Sequence, residues 1–250
     1  MIPKIIHYCW FGGNPQPLMM KMCIASWKLR LPDYQFFLWD ENRFDVNSTR
    51  FTKAAYESKK YAFVSDYVRM HALKEYGGVY LDTDVEVYRS FNALMDNDFF
   101  AAIEAHGRVG TSVIGTISDH WLPQAMLSYY ENVVFEEKEI KKLVNVNEFS
   151  RILLSENYRL DSSSFEPEKM GRDVIFPDGT FSNLQKKSLR GKVLTIANHH
   201  YSGSWKKASK KNCISRGFSY FKKRMLPDFF MVVNMCFIKE VCSLLGGWYE

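Results

Sequence analysis

Asp82 and Asp84 stand one residue apart after the apolar run Val79-Tyr80-Leu81, within KKYAFVSDYVRMHALKEYGGVYLDTDVEV, which begins at Lys59. In an extended segment residues i and i+2 point to one side, so both carboxylates would face one point just past the strand end. Paired acids there suit a divalent cation, Mn2+ or Mg2+, that can also hold phosphate oxygens. Asp-x-Asp by itself also describes an ordinary acidic turn, so its surroundings decide what it means. Asp66 and Arg69 lie three apart upstream, on one helical face; taken alone they read as an ion pair worth little at a surface. Far downstream, Asn198-His199-His200-Tyr201-Ser202-Gly203-Ser204-Trp205 brings two imidazoles. An isolated histidine pair is most often structural, but nitrogen beside carboxylate oxygens suits Mn2+ as well as Mg2+.

The elements that must position these groups are legible in the same stretch. Phe63, Tyr67, Met70, Leu73 and Tyr76 recur every three or four residues, which predicts a helix over residues 61–76. Gly77-Gly78 supplies its left-handed stop, and residues 79–81 form a strand buried on both faces. The acids then fall at the carboxyl end of a strand, where open α/β sheets bind ligands. Upstream, residues 2–10 predict a first strand closed by Gly12-Gly13, residues 18–29 a helix, and residues 34–39 a second strand ending at Asp40. Asp40 reads as a turn cap that could also touch a nucleotide. This strand–helix–strand opening is what a Rossmann-like nucleotide-binding half requires. Further strands are expected at residues 99–104, at 111–115 (another strand or the continuation of that one), and at 174–176 and 193–197. Helices are expected at 121–135 and at 147–156, the latter capped by Asn147.

Taken together, Ser65-Asp66-x-x-Arg69 followed by Gly77-Gly78-x-Tyr80-Leu81-Asp82-x-Asp84 resembles the signature of sugar-nucleotide glycosyltransferases. The similar groups are the bacterial capsule and lipopolysaccharide sugar transferases, grouped with yeast initiating mannosyltransferases, and the glucosyltransferase domains of large clostridial toxins. The resemblance implies an α/β fold of the GT-A type, a Rossmann-like sheet flanked by helices, over residues 1–205. It implies a retaining, metal-assisted transfer of a hexose or N-acetylhexosamine from a nucleotide sugar, a UDP-sugar first, to a glycan or lipid-linked acceptor in surface polysaccharide synthesis. Asp82 and Asp84 would hold the metal, Asp84 directly, with Asp82 also touching ribose or sugar. Trp10, in IHYCWFGG, matches the position where a tryptophan stacks on the base; the alternative is a core tryptophan. Asp66 and Arg69 would position donor hydroxyls, and Glu104 is the candidate acid where this family lines donor sugar and acceptor. The closing His-x-x-Gly-x-x-Trp-like motif would complete the metal shell, its spacing favouring His200 over His199, with Ser204 and Trp205 on the diphosphate.

Composition narrows the alternatives. Five cysteines, odd in number and without a C-x-x-C pair, read as a reducing compartment rather than a disulfide framework or zinc site. The opening MIPKIIHYCWFGG lacks a leader's long apolar run, and no stretch reaches the length of a spanning helix. The expected location is therefore cytoplasmic. Net charge is +5, but nine basic and three acidic residues after Trp205 make that tail +6, leaving 24 basic against 25 acidic before it. The body is thus no basic nucleic-acid binder. Residues 206–224 carry eight basic residues and no acid, interleaved with Phe218, Tyr220 and Phe221, and residues 229–238 are strongly apolar. Such a tail, residues 206–250, reads as an interfacial anchor on the anionic inner face of the cytoplasmic membrane, the alternative being a helix docked on the body. A metal-dependent nucleotide-sugar hydrolase or nucleotidyltransferase could use the same acids, though GGNPQP is a poor phosphate loop. A non-catalytic carbohydrate-binding module would need no metal pair.

Overall fold

The computed structural model describes residues 1–104, 107–182 and 193–202. Its centre is a mixed sheet that, among the described residues, has eight strands. The main path runs β2 (Gln35–Trp39), β1 (Ile5–Cys9), β3 (Gly78–Leu81), β7 (Val113–Thr116), β5 (Phe99–Glu104), β9 (Asp173–Phe176) and β8 (Glu168–Met170). The short β6 (Arg108–Val109) pairs with β5. β1 is parallel to both β2 and β3, with Ile6 beside Val79 and His7 beside Tyr80. β7 is antiparallel to both β3 and β5, so β1, β3 and β5 all end at the same edge of the sheet. Trp10, Asp82 and Glu104 are therefore brought to one side by strand direction alone.

The sheet is covered on both faces, which is why its strands are near-continuous apolar runs. Phe99, Ala101 and Ile103 point into the core shared with Phe63, Val64, Met70 and Leu73, whereas Phe100 and Ala102 join Ile6, Trp27 and Leu81 on the other face. The first layer consists of α2 (Arg50–Glu57), α3 (Tyr61–Tyr76), α4 (Trp121–Asn132) and α5 (Asn145–Ser155). The second holds α1 (Leu18–Arg30) and a separate antiparallel ribbon, β4 (Val85–Val87) with β10 (Ala197–His199). Trp27, fully buried on α1, donates its Nε1–H to Val85 O at 2.7 Å, and Ser26 Oγ accepts Val87 N–H at 3.0 Å. α1 thereby fixes the strand that immediately follows the two acids.

The expected helix over residues 61–76 is present with those bounds. It is buried on more than one face: Val64, Val68, Arg69 and Ala72 are buried beside Phe63, Met70 and Leu73, while Tyr76 is exposed. The glycine stop also holds, with Gly77 at φ +61° and Gly78 at φ +101°. A Cβ on Gly77 would come within 2.6 Å of Ser118 N, and one on Gly78 within 2.7 Å of Ile5 O. Helix and sheet approach too closely there for any side chain.

Three expectations are corrected. The helix starting at Trp121 ends at Asn132 rather than 135, because β-branched Val133 goes extended (φ −101°, ψ 130°) and Phe135 turns into the core against Phe51 and Phe63. The helix assigned to residues 147–156 begins at Asn145, so Asn147 is no cap; its Oδ1 accepts instead from Arg108 Nη1 at 2.8 Å. The strand expected at 193–197 is Ala197–His199, and it pairs with β4 instead of joining the main sheet. Helix α2 had no expectation attached to it; Thr49 caps it by accepting Thr52 N–H at 3.0 Å. The tail, residues 206–250, lies outside the described residues, as does the boundary assigned at residue 205.

Candidate functional site: a carboxylate–imidazole centre at the strand ends

The backbone turns immediately after β3. Asp82 N–H is bonded to Ser112 O at 2.8 Å, and Val85 N–H to Asp82 O at 2.9 Å. The two acids therefore converge through a turn and not, as expected, through the alternation of an extended segment. The outcome is the same: ligand atoms of Asp82, Asp84 and His199 all lie within 4.8 Å of one another. His199 Nε2 is 3.4 Å from Asp84 Oδ1 and 4.0 Å from Asp82 Oδ2.

His199, rather than His200, stands among the acids, which corrects the choice made from spacing. The reason is strand register. His199 pairs with Val85 and Asn198 with Glu86, and neighbouring residues of a strand face opposite sides. His200 accordingly falls with Glu86, its Nε2 3.1 Å from Glu86 Oε2 and its Nδ1 3.4 Å from Asn198 Nδ2. Its backbone still serves the site, donating N–H to Asp84 O at 3.0 Å. Ser202 N–H reaches Asp84 Oδ2 at 2.7 Å, and the Tyr201 ring lies 4.1 Å from that of His199.

Each acid is held differently. Asp84 is 7% exposed; burial would raise its carboxyl, but His199 and the Ser202 N–H outweigh that and hold it well below the usual range. Burial works equally against a charged His199, yet Asp84, Glu104 and Asp82 together raise the imidazole to about 10. The imidazolium thus answers a surplus of negative charge. Asp82 is tied by one oxygen: Tyr80 OH donates to Oδ1 at 3.0 Å, and Arg69 Nη2 lies 3.2 Å from it.

Arg69 is 4% exposed and links the helix to everything around it. Nη2 bonds Asp66 Oδ1 at 2.7 Å, Nη1 donates to Thr111 O at 2.6 Å, and the guanidinium sits 4.5 Å from the Tyr80 ring centre. The pair read from sequence as Asp66–Arg69 is therefore a buried hub rather than a surface ion pair. Asn145, for which the sequence offered no signal, closes the ring: Nδ2 donates to Asp66 Oδ1 at 2.7 Å, and Oδ1 accepts from Thr111 Oγ1 at 3.2 Å. Burial pushes the Asp66 carboxyl up to about 7 against the pull of Arg69.

Glu104, at the end of β5, arrives beside His199, its Oε1 3.6 Å from Nδ1 and 3.3 Å from Ser112 Oγ. Trp10 is half-buried and belongs to neither apolar cluster; its Nε1–H goes to Asn14 O at 2.6 Å. Its neighbour Gly12 donates N–H to Glu41 Oε1 at 2.6 Å, and Glu41 also accepts from Tyr56 OH at 2.9 Å. Asp40 caps its turn, Oδ1 accepting Asn42 N–H at 3.0 Å. Ser204 and Trp205 lie outside the described residues.

The donor set fits a divalent ion. Such ions take carboxylate oxygen and imidazole nitrogen at roughly 2.0–2.2 Å, so two donors sharing one ion lie within about 4.4 Å; the His199–Asp84 and His199–Asp82 separations already do. Among the described residues, moreover, His199 Nδ1 is buried with no hydrogen-bond partner, an atom with unused capacity beside surplus acid.

Comparison with known proteins bears on the family and the fold. Residues 17–101 match the family described as the glycosyltransferase sugar-binding region containing the DXD motif. Inositol phosphoceramide mannosyltransferase 3 of Schizosaccharomyces pombe is 31% identical over 126 residues, covering 48% of this chain and 34% of that protein. The chain thus spans about a third of that relative's length. Among solved structures, PaToxG glycosyltransferase superposes with a TM-score of 0.51 at 20% identity, over 62% of this chain and 69% of that one. That likeness is one of fold, and it is the α/β, GT-A-type fold expected from the sequence. The resemblance to Asp-x-Asp glycosyltransferases holds, and its signature from Asp66 to Asp84 falls inside the matched region.

Proposed function

We propose that the chain transfers a hexose or N-acetylhexosamine from a nucleotide sugar, UDP-linked first, to a glycan or lipid-linked acceptor, with Mn2+ or Mg2+ held by Asp82, Asp84 and His199. The observation that carries this is the convergence of the His199 imidazole on two carboxylates, Asp82 and Asp84, that stand at a strand end within the matched sugar-binding region. The mannosyltransferase relative, named for inositol phosphoceramide, fits a hexose and a lipid-borne acceptor.

The chemistry a divalent ion supplies when bound there is neutralisation of the charge that builds on a diphosphate leaving group. The chain's own residues do the rest. Asp84 stays ionised, ready to bind cation. Asp82 keeps Oδ1 on Tyr80 and Arg69 and offers Oδ2. Asp66 takes both its bonds from described residues on Oδ1, leaving Oδ2 for a sugar hydroxyl. Arg69 commits its guanidinium to Asp66, Asp82 and Thr111, and so serves the donor by holding these groups in place. Trp10, outside both cores at the end of β1, is available to stack on the base.

A panel of radiolabelled sugar nucleotides, incubated with Mn2+ or with chelator, tests the reading. Release of sugar from one donor only with metal is expected, with transfer when acceptor lipid or glycan is added. Turnover unchanged in chelator would remove the metal role, and release never followed by transfer would make the protein a hydrolase. A retaining outcome is carried over from the resemblance, and product anomer analysis checks it.

The membrane part of the proposal rests on charge: residues 206–250 carry +6 while the rest carries −1. Each basic residue near an anionic surface contributes on the order of 1 kcal/mol, screened by salt. Full-length protein should co-sediment with anionic liposomes at low salt, on the cytosolic face in a cell, and a chain ending near Lys207 should not. Full-length protein that stays in the supernatant at every salt concentration rules the anchor out.

A further inference from the structure

The sequence put Glu104 forward as a catalytic acid, but its surroundings suit another task. Its Oε1 sits 3.6 Å from His199 Nδ1 and is approached by Ser112 Oγ at 3.3 Å. Among the described residues, His199 Nδ1 is buried without a hydrogen-bond partner. The space Glu104 occupies is kept by Gly110: a Cβ built there would stand 2.2 Å from Glu104 Oε1. Gly110 has an ordinary backbone, so a missing side chain, not an unusual φ, is what this position provides. β6 pairs with β5 in the register Glu104 to Arg108 and folds Gly110 back over that carboxylate.

We propose that Glu104 is a positioning residue for His199, receiving the Nδ1–H so that Nε2 is left bare and aimed at the cation held with Asp82 and Asp84. A histidine whose Nε2 binds metal must carry its proton on Nδ1, and a carboxylate there fixes tautomer and ring orientation. The separation has to close by roughly half an ångström to reach hydrogen-bond length, a shift within reach of a flexible glutamate side chain. This inference rests on the metal reading above and adds to it the residue that sets its affinity.

The test is Mn2+ affinity of the full chain, measured by calorimetry or by the electron paramagnetic resonance of free Mn2+. Glu104→Ala should weaken binding about 10–100-fold, the usual effect of losing such a partner. Glu104→Gln, which keeps an acceptor oxygen, should recover most of it. Gly110→Ala, which displaces Glu104 without removing it, should weaken binding in the same direction and covers the case in which Glu104→Ala folds poorly. Nitrogen-15 spectra of the Mg2+-loaded protein should show His199 protonated at Nδ1 in wild type and the signal altered in Glu104→Ala. Turnover of Glu104→Ala should return as Mn2+ is raised to saturation. Unchanged Mn2+ affinity in Glu104→Ala, or turnover that stays lost at saturating Mn2+, overturns the assignment while leaving the metal reading intact. A wild-type protein that binds no Mn2+ overturns both.

Discussion

Two buried histidine–carboxylate clusters occupy opposite ends of the sheet, and they are built to different rules. At the start of β5 and β9, His120 Nε2 lies 3.2 and 3.1 Å from the two oxygens of Asp173, and Tyr158 OH donates to Asp173 Oδ2 at 2.5 Å. His120 Nδ1 accepts Leu122 N–H at 3.4 Å, so both ring nitrogens are used and the single acid is satisfied. At the far end, His199 faces Asp82, Asp84 and Glu104 at once and has a buried nitrogen without a partner among the described residues. His7, beneath Gly77, gives a third pattern: it bonds Gly77 O at 2.8 Å, accepts from Trp39 Nε1 at 3.1 Å, and pairs with no acid among the described residues. A saturated, balanced cluster holds elements together. One with surplus charge and spare bonding capacity is poised for a ligand, because the low dielectric makes that surplus costly until something binds.

The contrast is broken most forcefully at Asp84. Asp84→Asn should lower donor turnover roughly a hundredfold or more, since an ion acting on the leaving group supplies several kcal/mol, with melting temperature preserved. An equal loss from Asp173→Asn in protein that remains folded would erase the distinction between the two ends.

His7 supplies the next largest effect, and it is one of stability. Burial lowers its pKa from 6.5 to about 4 in the fold. As pH falls below 6.5 the unfolded chain takes up a proton that the native chain refuses, so stability present above pH 6.5 is lost progressively down to about pH 4. The loss attributable to His7 should be about 3 kcal/mol. Urea denaturation of wild type and His7→Gln at pH 7 and pH 4.5 measures it; parallel pH dependence in both proteins would mean that His7 does not carry the effect.

The two adjacent histidines sharpen the contrast further. His199→Ala should weaken Mn2+ binding by at least the roughly 10–100-fold that loss of a ligand's outer partner costs, and His200→Ala by much less. The reverse order of effects would return the ligand to His200. The smallest expected change is at the opposite end of the sheet. Tyr158→Phe removes one hydrogen bond to a buried carboxylate and should cost about 1–3 kcal/mol of stability while leaving Mn2+ affinity at the wild-type value.

Much of this was readable in the sequence because it is local. Residues 61–84 hold helix periodicity, the glycine stop, a buried strand and the two acids within one continuous stretch, and each signal is decided by near neighbours. The strand–helix–strand opening was legible as well, but that Trp10 and Asp82 share an edge follows from the parallel pairing of β1 with β3. The choice between His199 and His200 could not be read this way. It depends on the register of β10 against β4, more than a hundred residues apart, and one step of register exchanges the two faces. Arg69 likewise looked like half of an exposed pair, because nothing in its helix announces that Thr111 and Asn145 will close over it. Glu104 could be named as an acid of interest, but its closeness to His199 is set by β6 folding Gly110 back over β5. Within residues 61–84 the sequence by itself determined which elements form and where the acids fall along them, since periodicity and backbone sterics act over a few residues. Tertiary structure alone decided which side chains meet, because pairing register and burial are settled between segments with no local pattern in common.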